Sequence, residues 1–273
     1  MNKVDVGGVT IGGGELVLIA GPCVIEDEAM TFEILDTLIE ITGELSIPLI
    51  FKASYDKANR TSIDSYRGPG IEEGLRILSA AKDRGGVPVI TDVHTPDDCA
   101  QVGEAVDCLQ IPAYLCRQTD LLVEAGKTGR AVSIKKGQFM APESMAEAVK
   151  KVKSTGNENV FITERGTTFG YGNLVVDYRA MPIMRAEGTP VVFDATHSVQ
   201  KPSAKGTSSG GDRTMIKYLA RAAVATGIDG LFMEVHPRPD EALSDGPNSI
   251  ALKDLKEMLE GLKALDACVK GFA

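Results

Sequence analysis

Short apolar runs alternate along the chain with longer stretches in which apolar residues recur at helical spacing. The first run, residues 16–21 (LVLIAG), is uninterrupted by polar residues and too short for a helix. It is typical of a strand that is buried on both faces. Residues 27–45, which follow it, place apolar side chains three and four positions apart and predict an amphipathic helix.

The same alternation then repeats. Further strand-like runs occupy residues 47–54, 87–94, 108–113, 131–137, 159–166, 190–197 and 230–236. Further helix-compatible stretches occupy residues 71–84, 96–104, 118–128, 142–154, 174–186, 214–226 and 248–270. Eight such alternations in 273 residues predict an α/β protein with a closed parallel (β/α)8 barrel (TIM barrel), and an open doubly wound sheet is the alternative. Because no linker or change of composition interrupts the series, we expect one domain over residues 1–273.

Two segments fall outside the alternation. Residues 1–15 contain the pair Gly7-Gly8 between valines and the run Gly12-Gly13-Gly14, and they predict a short N-terminal β-hairpin over one end of the barrel. Residues 200–213 (QKPSAKGTSSGGDR) are rich in Gly, Ser and Lys and contain no apolar anchor. They predict a mobile loop that closes over the active site, and an inert surface loop is the alternative.

Composition narrows the classes of partner. The net charge of −9 argues against nucleic-acid binding, because contact with a phosphate backbone requires a basic face. No segment has the apolar length of a membrane span, and the N-terminus lacks the pattern of a signal peptide, so we expect a cytoplasmic protein with no membrane partner. The five cysteines form no CxxC pair, which favours free thiols.

Every predicted strand ends in polar or reactive side chains. In chain order these are Cys23, Lys52 with Ser54, Asp92 with His94, Gln110, Lys135 with Lys136, Glu164 with Arg165, Asp194 with His197, and Glu234 with His236. The carboxyl ends of barrel strands converge on one mouth, where active sites of this fold are built. Residues that are distant in sequence are therefore predicted to surround a single pocket.

Cationic side chains are concentrated at the ends of the second, fifth and sixth predicted strands. They are Lys52, Lys57, Arg60, Lys135, Lys136 and Arg165. Arginine binds phosphate and carboxylate with a bidentate fork and lysine with a point charge, and this set is too large for one small anion. It predicts two phosphate sites, or one phosphate and one carboxylate site. Pairing of some of these cations with Glu164, Asp92 or Asp56 is the alternative for individual residues.

A second group of residues at the mouth is softer and acidic. Cys23, His197, Glu234 and Asp245 together offer one thiolate, one imidazole and two carboxylates. This donor set is compatible with a divalent cation such as zinc, iron(II) or manganese. The four positions follow no short ligand motif, so a packed thiol at Cys23 and His236 in place of His197 both stay open on spacing alone.

Seven motifs in this sequence resemble one known family. They are AGPCVIE, FKASYDKANRTS with YRGPG, QIPAYLCRQTDLL, KKGQF, TERGTTFGYGNLVVDYR, FDATHSVQ and FMEVHP. Together they resemble the 3-deoxy-D-manno-octulosonate 8-phosphate synthases, over almost the whole chain. The resemblance implies a (β/α)8 barrel, usually a homotetramer. It also implies condensation of phosphoenolpyruvate with arabinose 5-phosphate and water, with release of phosphate, on the route to lipopolysaccharide.

The resemblance also implies roles for individual positions. Lys135, Arg165 and the backbone near Ala113 would hold the phosphate of phosphoenolpyruvate, and Ser54, Lys57 and Gln110 would surround its carboxylate. Arabinose 5-phosphate would contact Asn59, Arg60 and Thr61, and its phosphate would be reached by Arg117 of a neighbouring subunit. The expected catalytic residues are Lys52, Asp92, His197 and Asp245.

The family divides into metal-dependent members, which have Cys after the first Gly-Pro, and metal-independent members, which have Asn there. Cys23 places this chain with the former and implies that Cys23, His197, Glu234 and Asp245 bind the metal. The segment SDGPN at 244–248 departs from that pattern and is similar to the metal-independent members.

Three other functions fit parts of the pattern. A related synthase uses erythrose 4-phosphate, but it has a KPR-type sequence where this chain has KANRTS. A Schiff-base aldolase could use Lys135 or Lys52. A non-catalytic barrel could bind both phosphorylated ligands without releasing phosphate.

Overall fold

Eight parallel strands close into a barrel within residues 1–60, 62–201 and 210–272, which the computed structural model describes. The strands are β1 (Val17–Gly21), β2 (Leu49–Lys52), β3 (Val89–Asp92), β4 (Cys108–Ile111), β5 (Ala131–Lys135), β6 (Val160–Glu164), β7 (Val191–Asp194) and β8 (Gly230–His236). Each strand pairs in parallel with the next, and β8 pairs with both β7 and β1. Because the ring is closed, the predicted (β/α)8 barrel is confirmed and the open sheet is excluded.

A helix follows each strand in the described ranges. The helices are α1 (Glu28–Leu45), α2 (Ile71–Gly85), α3 (Asp98–Ala105), α4 (Thr119–Lys127), α5 (Met145–Lys153), α6 (Ala180–Ala186), α7 (Ile216–Ala225) and α8 (Leu252–Lys270). Their apolar faces pack on the outside of the strands and form the larger of the two cores. None of the helices in these ranges combines the length and the apolar character that a bilayer span requires.

Two predicted helices begin too early in the sequence. The first half of 174–186 is not helical, because Asn173–Val175 pairs antiparallel with Thr167–Phe169. β-Branched and aromatic residues flank a turn in which Gly170 has a φ of +70°, and this favours a hairpin. At the start of 248–270, Ile250–Ala251 pairs with the end of β8, and tertiary pairing there outweighs helix propensity.

The predicted N-terminal hairpin is confirmed. Val4–Val6 pairs antiparallel with Val9–Ile11 around two glycines of positive φ. Its inward side chains (Val4, Val6 and Ile11) are fully buried against apolar residues of the barrel interior. The hairpin therefore closes the amino-terminal end of the barrel, opposite the mouth.

The barrel interior changes from apolar to polar along β2, β3 and β8. Ile50, Ile90 and Phe232 belong to the apolar layer next to the hairpin. Since alternate residues of a strand point to the same side, the next inward positions are Lys52, Asp92 and Glu234. These charged side chains are buried. The fold thus places a polar layer directly beneath the mouth.

Candidate active site

The end of β1 lies unusually close to β2. A Cβ atom at Gly21 would be 1.8 Å from the carbonyl oxygen of Lys52, so only glycine permits this approach. The ammonium of Lys52 donates to the carbonyl oxygens of Cys23 (2.8 Å) and Pro22 (3.3 Å), and to Glu234 Oε1 (2.7 Å). Its three N–H donors are all engaged, so Lys52 ties β1 to the end of β8.

Three of the four predicted metal-binding residues meet beside this lysine, and the fourth, His197, faces two of them. Ligand atoms of Cys23, Glu234 and Asp245 lie within 4.8 Å of one another, and Cys23 Sγ is 3.3 Å from Asp245 Oδ2. His197 Nε2 is 3.5 Å from Glu234 Oε2 and 3.8 Å from Asp245 Oδ2. His236, the alternative ligand, instead faces Glu26 Oε1 at 3.5 Å. The geometry therefore favours His197. We call these four residues the cation cluster.

A buried carboxylate orients His197. Asp194 Oδ2 is 2.7 Å from His197 Nδ1, and Asp194 Oδ1 accepts a hydrogen bond from the His197 amide at 2.9 Å. Burial by itself would raise the pKa of Asp194, but His197 and Lys135 outweigh it and hold this pKa below its ordinary value. The ring is thereby fixed with Nε2 turned toward the cation cluster, as is usual for a metal-binding histidine.

The cation cluster fits a divalent cation. Burial, followed by the negative charge of Glu234, raises the pKa of the Cys23 thiol, so a thiolate there requires a nearby positive charge. Glu234 Oε2 is buried and has no hydrogen-bond partner within the described residues. One sulfur, one imidazole nitrogen and two carboxylates are donors that zinc, iron(II) and manganese accept.

A second polar group surrounds Asp92. Its carboxylate accepts hydrogen bonds from Ser54 Oγ and Gln110 Nε2. Lys57 Nζ lies between this carboxylate and the cation cluster, 3.8 Å from Asp92 Oδ2 and 3.7 Å from Glu234 Oε1. Burial opposes ionisation of Asp92, but Lys57, Lys52 and Lys135 together lower its pKa. Lys57 therefore links the two polar groups at the mouth.

Asp92→Asn is expected to flatten the loss of stability on acidification. Because the folded pKa of Asp92 is lowered, its ionised form stabilises the fold above the unfolded pKa of about 4, and this contribution is lost as the pH falls toward the folded value. Urea unfolding between about pH 7 and pH 3 should show a shallower slope for the variant. Asp36→Asn, at a surface pair with Arg84, is the control and should change the slope less. Equal slopes for Asp92→Asn and the unmodified chain would contradict this assignment.

Arg165 supplies a further buried cation at the mouth. Its Nη2 donates to Gln200 Oε1 at 2.8 Å, whereas Nη1 is buried without a hydrogen-bond partner in the described ranges. Burial lowers the pKa of Arg165, and Asp194 is the main group that opposes this shift. Glu164 Oε1 accepts the amides of Arg165 (3.1 Å) and Gly166 (2.6 Å), which fixes the turn carrying the guanidinium. A buried guanidinium with unused donors is suited to an anion.

Several cations are paired with carboxylates. Lys136 Nζ is 3.6 Å from Glu164 Oε2 and Lys57 Nζ is 3.8 Å from Asp92 Oδ2, as the alternative for individual residues anticipated. Lys135 Nζ is 2.8 Å from Asp194 Oδ2, a partner that the alternative did not include, and Asp56 pairs with Arg67, outside the predicted set. These pairs neutralise charges whose burial would otherwise destabilise the fold. Unused donors are left at Arg165 and at Arg60, whose Nη2 is buried without a partner among the described residues.

The remaining predicted site residues lie in loops around the mouth. Ala113 is buried in the short turn Ala113–Leu115 after β4, whereas Asn59 and Arg117 are exposed. Arg60 Nε donates to the carbonyl oxygen of Tyr66 at 3.0 Å. Thr61 lies outside the described residues. Within the described ranges, no hydrogen bond or ion pair joins Asn59, Arg60 or Arg117 to the cation cluster.

Sequence reasoning missed two polar residues of the site. Ser244 Oγ is 2.8 Å from Cys23 Sγ, and Gln200 connects Arg165 with Asp245. The available signal was proximity in sequence, since Gln200 follows His197 by three positions and Ser244 precedes Asp245. In the predicted 200–213 loop, Gln200–Lys201 pairs antiparallel with Gly210–Gly211, and residues 202–209 lie outside the described part of the chain. The expected mobility of this loop stays a prediction.

Comparison with known proteins assigns the family. A family model described as the DAHP synthetase I family matches residues 2–270. The chain is 60% identical over 269 residues to a 2-dehydro-3-deoxyphosphooctonate aldolase of Geobacter sulfurreducens, covering 98% of this chain and 99% of the relative. Proteins of the same name from Geobacter metallireducens and Pelobacter propionicus are 59% and 58% identical, with the same coverage. With matches that extend over nearly its full length, this chain belongs to the DAHP synthetase I family.

Proposed function

We propose that this chain condenses phosphoenolpyruvate with D-arabinose 5-phosphate and water. The products are 3-deoxy-D-manno-octulosonate 8-phosphate, a precursor of lipopolysaccharide, and inorganic phosphate, so the enzyme is a transferase. The observation that carries the proposal is the juxtaposition, in one mouth, of a buried Arg165 with unused donors and the cation cluster. The printed name of the relatives, 2-dehydro-3-deoxyphosphooctonate aldolase, supports the identity of the product.

Phosphoenolpyruvate is assigned to the buried side of the mouth. Arg165 and Lys135 would bind its phosphate with the backbone near Ala113, and Lys57, Ser54 and Gln110 would surround its carboxylate. Lys57 supports this assignment because its ammonium lies 3.7–3.8 Å from two carboxylates, which is longer than a hydrogen bond. Gln110 Oε1 is also buried and unpaired among the described residues.

Arabinose 5-phosphate is assigned to the outer side of the mouth. Asn59, Arg60 and Thr61 would contact it, and the partially buried Arg60 supplies an unused guanidinium nitrogen there. Its phosphate would be bound by Arg117 of a neighbouring subunit in a homotetramer. The exposure of Arg117 is compatible with such a role, because an exposed side chain is free to reach across a subunit interface.

The proposed reaction forms one carbon–carbon bond. C3 of phosphoenolpyruvate attacks the sugar aldehyde, whose oxygen takes up a proton. Positive charge develops at C2, and water adds there and loses a proton. The C–O bond to phosphate in the resulting hemiketal phosphate then breaks, and the hemiketal hydroxyl loses its proton as the ketone forms and inorganic phosphate leaves. The protein's task is to place two anionic substrates side by side and to stabilise developing charge by fixed groups.

The residues around the cation cluster would support the addition of water. Cys23, His197, Glu234 and Asp245 would hold the divalent cation, which supplies Lewis-acid chemistry when bound. We propose that either His197 or Asp245 takes the proton that the added water loses. Lys52, whose three donors are engaged, would position and neutralise Glu234, and Asp92 would hold Ser54 and Gln110 in place.

Substrate specificity tests the proposal directly. Phosphate release from phosphoenolpyruvate is expected with arabinose 5-phosphate, and at least ~100-fold less with erythrose 4-phosphate, because a site built to bind a substrate hydroxyl strongly rejects an analogue that lacks it. The measurement is phosphate release with each sugar, before and after exhaustive chelation. Preference for erythrose 4-phosphate would move the chain to the related synthase. No release with either sugar would overturn the catalytic assignment.

A further inference from the structure

Gln200 lies between the two functional halves of the mouth. Its side-chain oxygen accepts a hydrogen bond from Arg165 Nη2 at 2.8 Å, and its side-chain nitrogen donates to Asp245 Oδ1 at 3.2 Å. Arg165 belongs to the anion-binding side, and Asp245 belongs to the cation cluster. One amide group therefore connects the two.

The chemistry of the three groups suits this bridge. A guanidinium offers donors and no acceptor, and an ionised carboxylate offers acceptors and no donor. An amide is the neutral side chain that carries one acceptor and two donors in a single plane. Turning the amide over would place the side-chain nitrogen of Gln200 against the guanidinium and its oxygen against the carboxylate. The polarity of both partners thus fixes the orientation of Gln200.

The bridge also leaves the working atoms of its partners free. Asp245 uses Oδ1 for Gln200, while Oδ2 faces Cys23 Sγ at 3.3 Å and His197 Nε2 at 3.8 Å. Arg165 donates a hydrogen bond to Gln200 through Nη2, while Nη1 is buried and unpaired in the described ranges. Gln200 therefore joins Arg165 to a residue of the cation cluster without using the atoms that would bind an anion or a cation.

The backbone around Gln200 holds the amide in place. Gln200 pairs with Gly211 in a short antiparallel ladder, and its neighbour Lys201 pairs with Gly210. Lys201 is exposed and shares the same ladder, and within the described residues no hydrogen bond or ion pair joins its side chain to Arg165 or Asp245. This gives a matched control position, because a change at Lys201 perturbs the ladder equally without touching the bridge.

We propose that Gln200 is a positioning residue that couples anion binding at Arg165 to cation binding at Asp245. The proposal rests on the proposed function, because it uses the same anion and cation sites. By thermodynamic linkage, the factor by which phosphoenolpyruvate changes cation affinity equals the factor by which the cation changes phosphoenolpyruvate affinity. Coupling factors of this kind are typically about 5–150-fold.

The test is calorimetric titration of chelator-stripped protein with Mn²⁺, without and with saturating phosphoenolpyruvate. No sugar is added, so no turnover occurs. The measured ratio is the larger of the two Mn²⁺ dissociation constants divided by the smaller. We expect this ratio to fall at least ~3-fold in Gln200→Met, which preserves side-chain length but removes both hydrogen bonds. Lys201→Met should keep the original ratio. Gln200→Asn, whose amide is too short to span both partners, replaces the first variant if that one does not fold.

An unchanged ratio in Gln200→Met, or no Mn²⁺ binding by the unmodified protein, would overturn the proposal. Phosphate release by the unmodified enzyme with arabinose 5-phosphate is measured in parallel. If that activity is present and the ratio is unchanged, the bridge is wrong and the proposed function stands. If that activity is absent, the proposed function itself fails.

Discussion

Cys23→Ala is expected to weaken divalent-cation binding by at least ~100-fold, because losing even an outer-shell partner of a ligand typically costs 10–100-fold. Cys23 contributes the only sulfur among the four residues of the cation cluster, and its thiol lies 3.3 Å from Asp245 Oδ2. Phosphate release should fall by a comparable factor if the cation takes part in the reaction. Calorimetry with Mn²⁺ and the phosphate-release assay measure the two effects separately.

A second cysteine provides the matched control. Cys268 is an exposed free thiol in α8, remote from the mouth, and Cys268→Ala should leave both measurements unchanged. Activity of the unmodified protein that survives verified removal of metal would refute the metal requirement and keep the synthase. The segment SDGPN at 244–248 would then be the better guide to the subclass than Cys23.

Lys52→Met is expected to lower the free energy of unfolding of metal-free protein by about 3–5 kcal/mol, the usual cost of breaking a buried ion pair on one side. Lys52 Nζ and Glu234 Oε1 are 2.7 Å apart, and both side chains are at most 1% exposed. Burial by itself would raise the pKa of Glu234, and His197, Lys52 and Lys57 hold it well below its ordinary value. Without Lys52, the buried carboxylate loses its nearest counter-charge.

Urea unfolding in the presence of a chelator measures this loss. Adding Mn²⁺ should restore part of the stability, because a ligand that binds only the folded state stabilises it. Lys52→Met combined with Glu234→Gln should be less destabilised than Lys52→Met alone, since the uncompensated charge is gone. Lys256→Met, which breaks an exposed pair with Glu44, should have little effect. A loss below about 1 kcal/mol would show that Lys52 is not the counter-ion of Glu234.

Local pattern was sufficient to predict the barrel. A buried parallel strand is a continuous apolar run and a covering helix has one apolar face, so the two alternate visibly in the sequence. The helix predictions failed at two places. Asn173–Val175 forms a local hairpin with Thr167–Phe169, whose turn signal at Gly170 was present in the sequence. Ile250–Ala251 is a strand because the end of β8 lies beside it, which only the tertiary structure decides.

The sequence by itself also determined which strand-end side chains reach the mouth, because the carboxyl ends of barrel strands converge; Ser244 and Gln200, in loops, were missed. It did not determine how those side chains pair. Only the tertiary structure showed that His197 rather than His236 joins the cation cluster, and that Gln200 bridges Arg165 and Asp245. The physical reason is that hydrogen bonds and ion pairs act over about 3–4 Å, whereas strand periodicity fixes direction and leaves position at that scale to the packing of the whole barrel.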